Sequence, residues 1–283
     1  MATLKQIRRR IRSVASTRQI TKAMEMVAAS KLRRAQARAQ AAQPYAAEME
    51  GALKRLAAAA TDLQHPYFER RTEGRTLLFV VGSDRGLCGS FNAAITRAAE
   101  ERVAELGREN VLLRPAGGRI ARYFSFRGWE FPEEGTEIGD QIDLALVQRL
   151  TRRAAEHFLA GDVARVEFLH TRFVTTVRRV IASTEVLPIE AESEAAGHVP
   201  YIFEPDATTV LHELLPRYLT TRVLAVLAGS FAAEHSARMF AMGSATKNAE
   251  EMISSLRLTA NKLRQAAITT ELAEIVGGAA SLA

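Results

Sequence analysis

The chain has 283 residues, 47% of them hydrophobic, enough to bury the core of one or two domains, and its 38 Lys and Arg outweigh 32 Asp and Glu to leave a net charge of +6. No run approaches the roughly eighteen apolar residues of a membrane-spanning helix, and the Arg-rich start lacks a following apolar signal region, so it is read as mature protein. A single cysteine, Cys88, excludes an internal disulfide framework.

Residues 1–60 hold no Gly before Gly51 and no Pro before Pro44, and Ala, Arg, Gln, Met and Lys dominate them, which predicts one long helix. Alternate steps of three and four from Leu4 give Ile7, Ile11, Val14, Arg18, Thr21, Glu25, Ala28, Leu32, Ala35, Ala39 and Ala42, a heptad seam that is apolar at both ends and polar in its middle. The pattern predicts a phase slip there, with the apolar face moving to Ile20, Met24 and Val27, as expected where a straight helix departs from a strict heptad. No acidic residue precedes Glu25, whereas Lys5, Arg8, Arg9, Arg10, Arg12, Arg18 and Lys22 are basic, followed by Lys31, Arg33, Arg34 and Arg38. So one-sided a run points to a polyanionic partner (nucleic acid, an anionic membrane surface or an acidic protein) rather than to a merely solvated face.

The middle of the chain alternates strand and helix patterns. Thr76–Val81 is a short apolar strand, Phe91–Leu106 a helix, Val111–Leu113 a strand, Arg119–Phe126 and Gln141–Phe158 helices, and Val163–His170 and Phe173–Leu187 two longer, adjacent strands. This alternation predicts an α/β sheet with helices on its faces. Pro188 to Asp206, with Glu190, Glu192 and Glu194, reads as an acidic loop returning the chain to a second long helix over 207–283. That helix has its own seam of Met242, Thr246, Ala249, Ile253, Leu256, Ala260, Leu263 and Ala267. Pro216 is expected to remove a hydrogen bond and kink it, and Gly229 and Gly243 to weaken it.

Two long helices rooted in one middle domain should run antiparallel, and at about 1.5 Å per residue their lengths differ by roughly 30 Å. About the last twenty residues of the second helix then lack an intramolecular partner, as judged from that rise. Leu263, Ile268, Leu272, Ile275 and Val276 fall in this overhang, and apolar side chains there call for another protein's surface.

Signs of chemistry are few. The loop from Gly82 to Asn92 follows a strand and precedes a helix, but its glycines match neither phosphate-loop pattern and no lysine is placed to reach a phosphate, so it reads as a structural turn. Gly117-Gly118 is a weaker candidate still. His65, His157, His170, His198, His212 and His235 lack metal-ligand spacing, and Cys88 has no base beside it. Met24, Met26, Met239 and Met242 fit helix packing better than an adaptable binding face. No catalytic residue, cofactor or metal is expected.

Several blocks carry a specific resemblance. Gln19 to Lys31 (QITKAMEMVAASK) with Pro44-Tyr45, Ser83 to Gly89 (SDRGLCG), Tyr201 to Asp206 (YIFEPD), Ala237 to Met242 (ARMFAM), Ala245-Thr246, Asn261-Lys262, Arg264 to Ala266, Ile268-Thr269 and Glu271 to Ile275 (ELAEI) together resemble the gamma subunit of F-type, proton-translocating ATP synthases. The resemblance spans essentially the whole chain, more loosely over 110–190. It implies a long antiparallel coiled coil of the N- and C-terminal helices (1–60 plus 207–283) with an inserted Rossmann-like α/β foot domain (75–190) and an acidic return loop (191–206). It further implies a central rotor shaft without catalytic groups of its own, coupling proton flow to ATP synthesis or hydrolysis on the ring of alpha and beta subunits.

By the same resemblance, Lys5, Arg8, Arg9, Lys22 and Met24 lie in the shaft segment facing an acidic lever on beta. Arg264, Gln265 and Thr269 match contacts within the catalytic ring, and Ile268, Leu272, Ile275 and Val276 an apolar tip in its bearing. Tyr201, Glu204 and Asp206 match the foot near the c-subunit ring, with the epsilon subunit as a further partner. The complex is expected on the cytoplasmic face of a bacterial plasma membrane, with no span and no nucleic acid bound, and a cysteine-bearing regulatory insert is absent. The rival classes are a basic coiled coil that binds nucleic acid, which leaves the apolar overhang unexplained, and a small α/β nucleotide enzyme, which lacks a phosphate loop.

Overall fold

The computed structural model describes residues 3–59, 65–132, 136–139, 141–189, 204 and 206–280. Helix α1 runs Leu4–Ala59 and helix α5 Ala207–Ala280. Between them lie β1 (Arg75–Val81), α2 (Phe91–Leu106), β2 (Val111–Ala116), α3 (Gly118–Phe126), α4 (Leu144–Leu159), β3 (Val163–Phe173) and β4 (Arg179–Leu187), with short 3-10 turns at Pro66–Phe68 and Arg108–Asn110. The expected order of strands and helices between two long terminal helices is present. His198, Tyr201 and most of the acidic stretch 191–206 lie outside the described residues.

Boundaries depart from the sequence pattern where local chemistry overrides it. Helix α4 begins at Leu144 rather than Gln141 because Asp143 is its cap, accepting a hydrogen bond from the Ala145 amide at 3.2 Å. Strand β2 runs on through Pro115, tolerable because β2 is an edge strand with no partner beyond it among the described residues. The β-rich run after Phe173 is a turn: the Val174 amide donates to the Arg178 carbonyl, and the Arg178 amide to Thr175 Oγ1. Helix α5 is continuous through Pro216, so that proline removes one backbone hydrogen bond without ending the helix.

The sheet order is β2-β1-β3-β4, with β1 parallel to both neighbours and β4 antiparallel to β3. Because both faces are covered, β1 reads as a continuous apolar run, its alternate side chains entering two cores. On one face Leu77, Phe79 and Val81 meet Val166, Phe168, α4 and the basal turns of α1 and α5. On the other, Leu78 and Val80 meet Ile95, Ala99, Ile120 and Phe124 of α2 and α3. Phe79 and Phe168 stack with centroids 4.5 Å apart. Arg102 grips the buried Glu167 carboxylate with two hydrogen bonds of 2.7 and 3.0 Å, and Ser183 donates a third at 3.1 Å, so this interior charge is fully partnered.

The chain divides into two compact units. One comprises residues 28–238: the sheet, α2 to α4, and the basal parts of both long helices. The other comprises residues 1–27 and 239–283, an antiparallel pair of helical segments.

Candidate partner-binding surfaces

In the helical unit, three cross-helix contacts fix direction and register. Arg18 pairs with Glu250 at 3.7 Å, Thr246 Oγ1 donates to Thr21 Oγ1 at 2.8 Å, and Gly243 lies against the Glu25 carboxylate. Ascending numbers in α1 meet descending numbers in α5, so the helices run antiparallel. Carried along both, this register brings Leu4 opposite Leu263.

The seam predicted for α5 is followed: Met242, Thr246, Ala249 and Ile253 are buried and Leu256, Ala260 and Leu263 partly so, while Ala267 is exposed. The phase slip predicted for α1 does not occur. Ile20 and Val27 are 58% and 55% exposed, whereas Arg18, Thr21 and Glu25 stay on the seam with the buried Ile7. The polar residues stay because each has a partner: Thr21 also donates to the Arg18 carbonyl at 3.1 Å, and Glu25 takes Lys22 at 3.2 Å. Met24, assigned to the shifted face, is partly buried. Arg18, Lys22, Met26, Gly243, Lys247 and Glu250 line an open groove of about 540 Å³ between the two helices.

Beyond Leu263, α5 has no partner helix among the described residues. Ile268, Leu272, Ile275 and Val276 are 50–66% exposed, with Arg264, Gln265 and Thr269 exposed beside them. At the other side of this end, Lys5, Arg8 and Arg9 are exposed on the first turns of α1, where the register sets them level with α5 residues just before Arg264. Lys22 is exposed farther down α1. The helical unit therefore collects Lys5, Arg8, Arg9, Lys22 and Met24 with all the contact residues expected between Arg264 and Val276.

Glu204 and Asp206 precede α5 in the other unit and are exposed. Asp206 also caps α5, accepting from the Thr209 amide at 2.9 Å and the Thr209 hydroxyl at 2.8 Å, and those bonds hold its carboxyl below the usual carboxylate range.

In the loop after β1 the Asp84 carboxylate takes the amides of Gly118, Ile138 and Gly139 at 2.6 to 3.1 Å, and Arg119 donates its amide to the Ser83 carbonyl, so the first amides of α3 are spent within the chain. Gly82 and Gly117 are required by close approach: a Cβ on Gly82 would strike Ile120, and one on Gly117 would lie 2.9 Å from the Ser83 amide nitrogen. Cys88 is buried beneath this loop. Nothing in the pattern of glycines announces Asp84; only its place in a strand-to-helix loop hints at a cap.

His65 and His170 serve packing, and His157 lies 3.0 Å from the Asp162 carboxylate. His170 is buried, its Nε2 3.0 Å from Thr184 Oγ1, and burial followed by repulsion from Arg172 pushes its pKa down to about 4. His65 stacks edge-on with His212 and accepts the Tyr67 amide; burial, then His212, lowers its pKa. Among the described residues no three metal-ligating side chains cluster, and no helix is long and apolar enough to cross a membrane.

A family model described as ATP synthase matches residues 3–282. The ATP synthase gamma chain of Desulforamulus reducens is 43% identical over 285 residues, covering 100% of both chains. Among solved structures, a chain of the Tetrahymena thermophila mitochondrial ATP synthase central stalk and c-ring superposes with a TM-score of 0.60 at 23% identity, covering 80% of this chain and 99% of its own. A chain of the Euglena gracilis mitochondrial ATP synthase rotor does so with a TM-score of 0.64 at 17% identity, covering 94% and 98%. At those identities the two structures speak for a shared fold.

Proposed function

The chain belongs to the gamma-chain family of ATP synthases, and on that premise we propose that it is the central rotor shaft of an F-type enzyme, joining proton flow to ATP synthesis or hydrolysis carried out on the alpha and beta subunits. The observation that carries the reading is the end of α5, where a row of exposed apolar side chains extends past the last residue of α1 able to cover it. A ring of subunits closing around that tip buries it. Lys5, Arg8, Arg9 and Lys22 then meet acidic surface, and Arg264, Gln265 and Thr269 supply polar contacts at the level where the tip enters the ring.

Such a shaft acts without reacting groups. A single asymmetric element contacting three equivalent sites gives each a different differential interaction energy, and turning the element exchanges the three states among the sites. Ile20 and Val27 are exposed on one face of α1 while Thr21 and Ala28 are buried on another, so the surface offered to the ring changes with angle. The domain division that suits this role is a coiled-coil shaft and an α/β foot, with the epsilon subunit, the c-subunit ring and the Tyr201, Glu204 and Asp206 segment at the foot. The complex then lies peripherally on the membrane, at the cytoplasmic face in a bacterium.

Co-expression with alpha and beta subunits tests the proposal. A stoichiometric complex with ATPase activity is expected, and failure of this chain to enter it would overturn the reading.

A further inference from the structure

Six residues of α5, Ala233 to Arg238, are held on three sides. Glu234 is buried and pairs with Arg238 one turn on, Oε1 to Nη2 2.7 Å, and the same Nη2 donates to the Gly86 carbonyl at 3.3 Å. Ser236 projects from the opposite side of the helix, about 160 to 200° away at ~100° per residue. Its hydroxyl donates to the Thr176 carbonyl at 2.5 Å and accepts from Arg179 at 3.1 Å, both in or beside the β3–β4 turn. Between these sides Ala233 and Ala237 pack on Cys88, Phe91 and Phe173.

The turns of α5 before this stretch are keyed by the buried Leu227 and Phe231, whereas over 233–238 the alanines form a smooth seat that holds no angle by itself. Polar contacts on opposite sides are directional, and a turn of the helix in either sense breaks one of them. Gly86 also precedes Leu87, whose φ of 62° is the one positive value at a non-glycine residue among those described. A leucine held in that region persists only when its surroundings fix it, and the Arg238 bond fixes the carbonyl before it.

We infer that Glu234, Ser236 and Arg238 form a two-jawed vise that sets the rotational angle of α5 over residues 233–238, past the buried Phe231, one jaw closing on the loop 82–90 and the other on the β3–β4 turn. Each jaw orders its own segment: Arg238 keeps Leu87 in its left-handed conformation and Ser236 closes the turn at 174–178. The vise stands on contacts within this chain. Its consequence for torque, that α5 cannot slip against the sheet, rests on the rotor reading.

The test uses the full chain alone, which separates it from assembly with other subunits. Arg238→Met on its own leaves the buried Glu234 charge unpaired, so the informative variant is Glu234→Leu/Arg238→Met, which removes both charges, alone and with Ser236→Ala. Thiol labelling and amide hydrogen exchange are read by mass spectrometry. The double variant is expected to raise the labelling rate of Cys88, the single thiol and buried at the loop it releases, at least tenfold while peptides covering β1 keep their exchange; adding Ser236→Ala raises exchange at 174–179. Unchanged Cys88 labelling in the double variant, or unchanged protection at 174–179 in the triple variant, would overturn the vise. So would a uniform rise across the sheet, which marks general loosening in place of two released jaws.

Discussion

The sheet unit and the helical unit are built on opposite plans. In the first, each face of a four-stranded sheet is covered, aromatic rings meet ring to ring, and the interior carboxylate of Glu167 has three donors. In the second, one narrow seam is buried and large apolar side chains such as Ile20, Val27, Leu272 and Ile275 face outward. The difference separates two demands on one chain: the sheet satisfies itself, whereas the helices hold back part of their apolar surface for other molecules.

Substitutions can break or sharpen this contrast. The largest loss is expected from Phe79→Ala, which removes a fully buried ring stacked on Phe168 and should cost about 3–5 kcal/mol in urea unfolding. Acid comes next. His170 is held neutral at a pKa of about 4 against its ordinary 6.5, so the unfolded chain binds the proton more readily. The stability it contributes is fully present above pH 6.5 and is lost as pH falls toward 4, up to about 3 kcal/mol. Melts at pH 7 and pH 4.5 should show this fall, and His170→Gln should shrink it.

In the helical unit Ile253→Ala should cost about 2 kcal/mol, because its side chain is buried in a seam only one residue wide. Smallest in stability, at under about 0.5 kcal/mol, is Leu272→Ala/Ile275→Ala, whose side chains lie exposed. The same pair should weaken co-purification with alpha and beta subunits. A loss of several kcal/mol on unfolding alone would mean the tip is internally packed, and the contrast would fail. Arg8→Glu/Arg9→Glu should likewise leave folding intact and lower ATP-driven proton pumping in the assembled enzyme.

Much of the fold was legible because long runs of helix formers and a doubly covered strand leave strong patterns, as β1 and both terminal helices do. Length arithmetic alone exposed the apolar tip, since α1 and α5 differ by a fixed rise per residue. The phase slip expected at Ile20, Met24 and Val27 is absent because hydrophobicity, which ranks isoleucine and valine above threonine, does not decide this seam. A hydroxyl with a facing hydroxyl, Thr21 with Thr246, is a better seam pair than pattern alone can recognise, since its partner lies more than two hundred residues away. The turn at 174–178 looked like strand because Val and Thr favour strands, and its closing bonds depend on Arg178. Asp84 was invisible for the same reason as Thr21: its amide donors at 118, 138 and 139 are distant in sequence.

The overhang of α5 has a thermodynamic consequence for whatever surrounds it. An isolated helix of its length would be marginal in water, because the first turn must be ordered before any hydrogen bond repays it. Here the seam upstream of Leu263 supplies that nucleus, and residues 264–280 need only propagate from it. The tip therefore reaches its socket already helical, and little ordering entropy is left to oppose association.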